Sequence, residues 1–485
     1  MKKVLHTRWW FGAAVLTVVT AAGVTLPAQQ SSAPSRATNT TRWSVAAVGD
    51  AIMTRQVRRL DNDPAFMAIV NPIRDADAAV VNLELNVFRM WDFKGYPQAE
   101  NGGNYEAAPP EVAEDLRWMG FDLYNHANNH TADYGVEGMM ETWRILDALN
   151  VVYAGSGMTA GEAAQAKYFD TSKGRFALIG MATSFTPMSR SGEARPGMKG
   201  RPGVNALRTN TRIQLAPAQM TAVRDIAKQV GVSVAESPDA PLRLGAATFV
   251  AGPETKQVSS LNARDEDRIL RSIRNAARQA DHVIVHSHSH DMARPNELLP
   301  PPDHLRTFVK KCIDAGADMF VVSGPHRLRG IEIYKGKPIF YSLGNFFMQN
   351  ETIEPMPDDM YENYGLGPDA LAADFYDARS KIDPQTGLPT AYYPAQSDIW
   401  ETVVANPVFV GDRLVEIRLY PVDMGFRMPR SQQGTPRLAD TTLARKIIDR
   451  LAKMSEQYGT TITFRDGIGI WAASQTSSSD AASSR

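Results

Sequence analysis

Three histidines occur at alternating positions: His286, His288 and His290. Imidazoles with this spacing could bind a metal ion or act as bases. They follow an apolar run at residues 282–285, and side chains on a β-strand alternate between its two faces. The pattern predicts three imidazoles on one face at the end of a strand. Burying imidazoles without hydrogen-bond partners costs free energy. We therefore expect either a metal ion at these residues or a solvated cleft in which they act as bases. A surface cluster of histidines at a strand end is the alternative.

A fourth histidine, His326, lies in a loop that follows a second apolar run. Residues 305–315 have helical spacing, residues 318–322 have the composition of a strand, and the loop Ser-Gly-Pro-His occupies residues 323–326. Ligands gather at the carboxyl ends of strands in α/β sheets. We therefore expect His326 to lie close to the first three histidines, because clustered ligand-type residues mark sites.

Carboxylates follow two further apolar runs. A short strand is predicted over residues 44–48 and is expected to stop at Gly49-Asp50, where a carboxylate at a strand tip suits a metal ligand and a simple turn is the alternative. Residues 78–88 are predicted to form a second strand with Asn82 and Glu84 on its polar face. That face either lines a site or is a solvated edge.

A polar loop carries the remaining candidate ligands. A helix predicted over residues 110–119 and a brief strand over 121–124 lead into Asn128, Asn129, His130 and Asp133. Amide oxygen, imidazole and carboxylate together suit a hard or borderline divalent metal. A turn rich in Asn and His is the alternative.

At this point the motifs resemble those of the CapA family, which is named for the synthesis of capsules and in particular of poly-γ-glutamate. The matching motifs are Gly49-Asp50, Asn82-Leu83-Glu84, Ala127-Asn128-Asn129-His130, Asp133-Tyr134-Gly135, the His288 strand, Gly316-Ala317-Asp318, Gly324-Pro325-His326 and residues 330–346. The resemblance covers residues 43–347, and more loosely the part that follows. That family is similar in fold to the calcineurin-like metallophosphoesterases. The resemblance therefore implies an α/β fold, a four-layer αββα metallophosphoesterase-like sandwich with two mixed β-sheets.

The resemblance also implies roles for individual residues. The implied metal ligands are Asp50, Glu84 as a candidate bridge between ions, Asn129, His288 and His326. His130, with Asp133 close by in the same motif, is implied to act on the substrate as acid or orienting group.

This chain departs from the family pattern at two positions. Ser289-His290 stands where the family has Trp-Gly, and Ser323 stands where the family has an earlier histidine of its last loop. We expect His290, or else His286, to replace the missing ligand.

The expected cofactor is one or two divalent metal ions. Two such ions can clamp an anion and lower the pKa of water to about 7. Mn, Fe or Zn suit mixed imidazole, carboxylate and amide ligands. Arg327, Arg329 and Asn82 are the candidate substrate-binding residues, and an exposed charged loop is the alternative for the two arginines.

Composition narrows the class of protein. The 485 residues suffice for two or three domains, or for one large domain with additions. A formal net charge of -1 gives no reason to expect a nucleic-acid partner. The single cysteine, Cys312, makes no thiolate metal cage and suits a buried structural position.

The ends of the chain differ from its middle. Residues 1–28 have a basic start and an apolar run, which predicts a signal peptide, with an uncleaved membrane anchor as the alternative. Residues 29–42 and 472–485 are predicted to be a disordered linker and a disordered tail. Residues 43–471 are predicted to form one domain, with its core at 43–347 and a C-terminal β/α completion at 348–471. The folded part is expected outside the cytoplasmic membrane, in the periplasm or on the membrane's outer face.

The first functional hypothesis is an exported, metal-dependent hydrolase or transferase that acts on an anionic polymer or ester. By the resemblance, it would serve capsule or poly-γ-glutamate biosynthesis, with membrane-bound synthesis proteins as possible partners. The second is a non-catalytic binding subunit of a capsule synthesis and export complex. The third is a periplasmic phosphoesterase with another substrate.

Overall fold

The computed structural model describes residues 40–98, 104–293 and 300–473. The expected signal peptide or anchor, most of the linker and nearly all of the tail lie outside the described residues. Arg42 begins the first strand and Ala472 ends the last one, so the fold extends one residue beyond each predicted boundary. None of the helices in the described part of the chain combines the length and apolar character needed to span a membrane.

Strands occur along the whole described part of the chain. In chain order they are β1 (Arg42–Ile52), β2 (Ala78–Leu83), β3 (Asn86–Val87), β4 (Ala107–Ala108), β5 (Leu123–Asn125), β6 (Val152–Ala154), β7 (Ser156–Gly157), β8 (Lys167–Thr171), β9 (Gly174–Ala182), β10 (Gly203–Val204), β11 (Thr209–Leu215), β12 (Leu242–Leu244), β13 (Ala247–Ala251), β14 (Lys256–Leu261), β15 (His282–His288), β16 (Met319–Ser323), β17 (Ile331–Tyr334), β18 (Lys337–Phe340), β19 (Asn345–Met348), β20 (Glu401–Val410), β21 (Arg413–Asp423), β22 (Arg437–Leu438), β23 (Thr463–Arg465) and β24 (Ile468–Ala472).

The helices of the same residues cover the faces of the sheets. They are α1 (Pro64–Arg74), α2 (Pro110–Trp118), α3 (Gly135–Ala148), α4 (Ala160–Ala163), α5 (Pro217–Gln229), α6 (Ala263–Ala276), α7 (Asp303–Asp314), α8 (Asp358–Glu362), α9 (Ala372–Ser380) and α10 (Thr441–Ser455). Short 3₁₀ helices lie at Arg58–Leu60, Tyr393–Ala395, Ser397–Trp400 and Glu456–Tyr458.

Two large mixed sheets form the centre of the molecule. The first contains β23, β24, β21, β20, β1, β2, β5 and β6 in that order, with β19 also paired to β1 and β22 to β21. The second contains β17, β18, β16, β15, β9 and β8 in that order. Each sheet combines parallel pairs, such as β1 with β2 and β15 with β16, with antiparallel ones, such as β20 with β21 and β8 with β9.

Alternating side chains on the central strands build three apolar layers. Val45 of β1 and Ile284 of β15 share the core between the two sheets. Val48 points to the opposite face of β1 and packs with residues of α1, α2 and α3. Val283 likewise packs with α6 and α7 on the outer face of the second sheet. Helices therefore cover both outer faces, and the prediction of a four-layer αββα sandwich with two mixed sheets is confirmed.

The first strand is longer than predicted. The prediction that it stops at Gly49-Asp50 was wrong, because β1 continues through Asp50 to Ile52 between β2 and β19. Gly49 permits this pairing: a Cβ at that position would lie 1.8 Å from the carbonyl oxygen of Gly344. The Asp50 N–H then donates to that same oxygen at 3.0 Å. Glycine is needed here for a close backbone approach rather than for a turn.

The second predicted strand is interrupted at the site. Residues 78–88 form β2 and β3 with a break at Glu84, and Asn82 and Glu84 are fully buried. The solvated-edge alternative is therefore excluded for this strand. Residues 183–260, a segment without a strand prediction, contain most of a separate four-stranded sheet of β12, β13, β11 and β14. α5 lies inside that segment and packs with the small sheet in an apolar cluster of its own.

The C-terminal part joins the first sheet directly. β20 and β21 form a hairpin around Gly411 and Asp412, and β20 pairs antiparallel with β1. β20 flanks the first half of β1, and β19 flanks its last residues on the same side. This change of partner leaves the carboxyl end of β1 beside Asn345.

Candidate metal centre

The site lies where the carboxyl ends of parallel strands from both sheets meet. Asp50 is close to the end of β1 and is in register with Asn82 of β2 and Asn345 of β19. His288 ends β15 and is in register with Ser323, which ends β16. The sheets thus bring residues distant in sequence to one end of the sandwich, as expected for α/β folds.

Asp50 is held by hydrogen bonds from both sheets. Its Oδ1 accepts from Asn82 Nδ2 at 2.8 Å, and its Oδ2 accepts from the N–H of Gly324 at 2.9 Å. Burial alone would raise the pKa of Asp50, but hydrogen bonding and charge from His288, together with His326, hold that pKa well below its usual value. Asp50 is therefore ionised and fixed in orientation.

His326 approaches Asp50 from the loop after β16. Its Nδ1 lies 3.7 Å from Asp50 Oδ2 and donates to Asn345 Oδ1 at 2.8 Å, so Nε2 is left as the ligand atom. His326 has a φ of 56°, a backbone conformation that is costly for a residue with a side chain. Burial lowers the pKa of His326 to about 4, which keeps the ring neutral near pH 7.

Glu84 has the opposite electrostatic environment. It is fully buried, and neither carboxylate oxygen accepts a hydrogen bond from the described residues. Nε2 of His288 lies 3.4 Å from Oε1. Burial first, and then the charge of Asp50, raise the pKa of Glu84 well above its usual value. A buried carboxylate with unsatisfied oxygens calls for a cation or a proton.

His290 completes the cluster beyond the end of β15. Its Nε2 lies 3.0 Å from Nε2 of His288, and its backbone N–H donates to Ser184 Oγ at 2.7 Å. Burial lowers the pKa of His290 well below its usual value, and the neighbouring His288 adds to that effect. Two imidazole nitrogens at this separation can share a proton or bind one cation.

The ligand atoms form two groups that share one carboxylate. We call Asp50, Glu84 and His326 the Asp50 group, and Glu84, His288 and His290 the His288 group; within each group the ligand atoms lie within 4.8 Å of one another. Two ligands of a tetrahedral ion with bonds of about 2.0–2.1 Å lie roughly 3.3 Å apart. The contacts of 3.0 and 3.4 Å from His288 Nε2 match that spacing, so these residues fit a divalent ion.

Of the three alternating histidines His286, His288 and His290, only His286 joins neither group. It is fully buried, and burial lowers its pKa to about 3. Neither ring nitrogen has a hydrogen-bond partner among the described residues. In this geometry His290, and not His286, lies in a ligand group, and its replacement of the family histidine at Ser323 stays a prediction.

The polar loop after β5 brings His130 to the same end of the sandwich. Asn128 ties the loop to β2 by donating from Nδ2 to the carbonyl of Leu83 at 2.7 Å, and its Oδ1 accepts from the His130 N–H at 3.1 Å. His130 Nδ1 lies 2.7 Å from Asp133 Oδ2, which fixes the ring and directs Nε2 elsewhere. Asn129 is buried in the same loop, and its role as a ligand stays a prediction.

The three predicted substrate-binding residues have other contacts. Asn82 is fully buried between Asp50 and His288, and its Oδ1 accepts from Asn125 at 2.7 Å, so the structure favours a positioning role. Arg327 pairs with Asp398 at 2.6 Å. Arg329 is buried and donates to the carbonyl of Asp291 at 3.0 Å. Contact of any of them with a substrate stays a prediction.

Sequence reasoning gave no role to three residues at the site. Asn345 lies within residues 330–346, which match a motif of the family, so that segment was the signal for it. Glu106 is a fully buried carboxylate in a stretch without periodicity. The Tyr393 ring lies 5.0 Å from that of His326 and is brought there by a Pro-rich region that carries no motif. Only the tertiary structure identifies the last two.

Comparison with known proteins gives a consistent picture. The model of the family "Bacterial capsule synthesis protein PGA_cap" matches residues 44–350. The "Uncharacterized protein y4sH" of Sinorhizobium fredii (strain NBRC 101917 / NGR234) is 39% identical over 434 residues, which is 88% of this chain and 92% of that protein.

Two relatives from Bacillus carry functional names. The "Capsule biosynthesis protein CapA" of Bacillus anthracis is 24% identical over 68% of this chain and 66% of that protein. The "PGA biosynthesis protein CapA" of Bacillus subtilis (strain 168) is 28% identical over 62% of each.

Proposed function

The chain belongs to the bacterial capsule synthesis protein family PGA_cap, and from this premise we propose that it is a metal-dependent hydrolase or transferase. Its proposed substrate is an anionic polymer or ester used in capsule or poly-γ-glutamate biosynthesis. Two relatives bear names from that process, which supports the substrate class.

The observation that carries the proposal is the shared carboxylate of Glu84. It belongs to both ligand groups and lies between Asp50 and His288, with no hydrogen-bond donor to either of its oxygens among the described residues. A carboxylate in this position suits a bridge between two divalent ions. Mn, Fe or Zn is the proposed metal, because imidazole and carboxylate are ligands that these ions accept.

Different residues of the chain have different roles at this centre: some would bind the metal, and one would transfer a proton. Divalent ions held there would supply Lewis-acid chemistry, polarising a phosphoryl or acyl oxygen and making water more acidic. Asp50, Glu84, His288, His290 and His326 would hold the ions, with Asn129 as a further ligand. His130, oriented by Asp133 through Nδ1, presents Nε2 to the leaving group and transfers a proton to it.

The proposed location is outside the cytoplasmic membrane, following export by residues 1–28 as a signal peptide or anchor. The basic start and apolar run of that segment support export. Proposed partners are the anionic substrate and membrane-bound proteins of capsule synthesis. Recovery of the full-length protein from the cytoplasm of its own cells would contradict this location.

A non-catalytic binding subunit is the second candidate. The observation that favours it is Ser323, which stands at a position where the family pattern has a histidine and lies 3.4 Å from His288 Nδ1 through its hydroxyl. A site with one fewer imidazole could bind an anion through its metal without turnover.

Activity measurements on metal-loaded protein test the two candidates. The unmodified protein should hydrolyse a phosphoester or a γ-glutamyl oligomer, whereas His130→Ala should keep its metal and lose roughly 10²–10⁴-fold in turnover, the usual effect of a general acid. Elemental analysis of both proteins gives the metal content. Loss of metal from His130→Ala would contradict the assigned role, and an inactive, metal-loaded unmodified protein would favour the binding subunit.

A further inference from the structure

Residues 190–201 form a short hairpin next to the site, which we call the basic hairpin. Gly192 forms an antiparallel bridge with Arg201. Nearer the tip, Arg195 forms a second one with Met198. The two residues between that second pair are a proline and a glycine, and the glycine has a φ of 77°. This combination suits a type II turn, so the tip has a defined backbone geometry.

Both ends of the segment that carries the basic hairpin are tied to the candidate metal centre. Before the hairpin, Ser184 Oγ accepts from the N–H of His290 at 2.7 Å. After the hairpin, Val204 packs in one apolar cluster with Ala127, which directly precedes residues 128–130 of the polar loop. The hairpin therefore leaves the fold next to a candidate ligand and rejoins it next to the loop of the proposed general acid.

The basic hairpin has an excess of positive charge. Its single acidic residue, Glu193, is directed to α4, where its Oε2 accepts from the N–H of Gly161 at 3.2 Å. Among the described residues, no carboxylate pairs with any of the four cationic side chains of the hairpin, and three of the four are exposed. These cations are Arg190, Arg195, Lys199 and Arg201.

Arginines at the base of the basic hairpin add to this charge. Arg201 Nε donates to the carbonyl of Arg190 at 2.7 Å, so the two residues are neighbours. Burial first, and then the charges of Arg208 and Arg201, lower the pKa of Arg190. The carboxylate of Asp265 lies near them, but it already pairs with Arg208 at 2.6 Å and with Arg268 at 2.9 Å. Positive charge therefore remains for an anionic ligand.

We propose that the basic hairpin binds the part of an anionic substrate chain that extends beyond the metal centre, so that long polyanions bind more tightly than short ones. A polymer with a carboxylate on each unit suits this surface, because one anion can lie at the metal ligands while others contact the exposed cations. Single exposed ion pairs contribute little, but several on one chain act together. This inference rests on the proposed function, because it names a binding surface for the substrate of the same site.

Two ligands of different length test the inference on metal-loaded protein. The probes are poly-γ-glutamate and a γ-glutamyl tripeptide, with affinities measured by calorimetry. Arg195→Gln combined with Lys199→Gln should weaken polymer binding by roughly tenfold, the combined effect of exposed ion pairs, and leave tripeptide binding unchanged. Lys453→Gln combined with Arg465→Gln is the matched control, since it removes the same charges at other exposed positions and should change neither affinity.

Salt gives a second measurement. Exposed ion pairs are screened by ions in solution, so added salt should weaken polymer binding more in the unmodified protein than in the hairpin variant. An equal dependence on salt in the two proteins would contradict a contact between the polymer and the basic hairpin.

The outcomes separate this inference from the proposed function. An unmodified protein that binds the polymer no more tightly than the tripeptide would overturn the role of the basic hairpin even if the variant failed to fold. Unchanged polymer affinity in the variant would overturn it as well, and a simultaneous loss of affinity for phosphatidylglycerol vesicles would assign the hairpin to a membrane surface instead. Metal content and hydrolysis are measured separately, so hairpin-dependent polymer binding without turnover would contradict only the proposed activity.

Discussion

The two ligand groups are built differently, although they share Glu84. In the Asp50 group, protein hydrogen bonds fix the ligands: Asn82 and the N–H of Gly324 bind Asp50, and Asn345 binds His326. The oxygens of Glu84, which both groups share, have no donor among the described residues, and His290 of the His288 group lies beyond the end of its strand. Apart from Glu84, hydrogen bonds preorganise the ligands of the Asp50 group, whereas a loop residue supplies one ligand of the His288 group.

This difference is also electrostatic. The pKa of Asp50 is held well below its usual value by His288 and His326 in spite of burial, whereas burial and the charge of Asp50 raise the pKa of Glu84. Without a cation the Asp50 carboxylate stays charged and Glu84 takes up a proton more readily. The shared carboxylate is therefore the residue whose loss should affect both groups.

The largest expected effect follows from removing that carboxylate. Glu84→Ala should lose both ions and the activity together, because each group then keeps only two of its acidic or imidazole ligands. Glu84→Gln keeps the size of the side chain and removes its charge, so it should also bind metal poorly. Elemental analysis after gel filtration measures the result. Full metal content in Glu84→Ala would show that the two groups do not depend on a common carboxylate.

A smaller effect is expected from His290, which belongs to one group only. His290→Ala should lower the metal content from two ions to one, because the Asp50 group remains complete. His304→Ala is the matched control, since that imidazole pairs with Asp291 at 3.1 Å and lies outside both groups. Titration with Zn²⁺ or Mn²⁺ followed by calorimetry would resolve the two sites. An unchanged metal content in His290→Ala would remove this residue from the ligand set.

The smallest effect is expected at Asn345, which orients a ligand without binding metal. Asn345→Ala should weaken metal binding at the Asp50 group by roughly 10–100-fold, the usual effect of losing such a partner. Asn345→Asp keeps an acceptor for His326 Nδ1 and should restore most of the affinity. If both variants bind metal like the unmodified protein, the Asp50 group does not depend on this hydrogen bond.

Candidate ligands that directly follow an apolar stretch can be predicted from the sequence. The residues that orient those ligands are harder to predict. Asp50 and His326 each follow a predicted strand and are ligands of one site by the resemblance, and their side chains are 3.7 Å apart. The end of β1 was misplaced, because its continuation depends on β19, which follows almost 300 residues later in the chain. Such pairing leaves no local pattern around Gly49.

Glu106 shows a second limit. It lies in a stretch between a loop and α2, and no periodicity separates it from an exposed glutamate. Arg379, which lowers the pKa of Glu106 by its charge, comes from the far C-terminal half, a region where the sequence carries no motif. The central candidate ligands could therefore be predicted from the sequence, whereas surrounding residues such as Glu106 could not.

The number of metal ions bound per chain is the measurement that tests the shared-carboxylate account most directly. Elemental analysis of purified, metal-loaded protein, covering Mn, Fe and Zn, should give two divalent ions per chain. Two groups of ligands around one buried carboxylate predict that value. A protein that binds no divalent ion, or only one at saturating metal, would contradict the account.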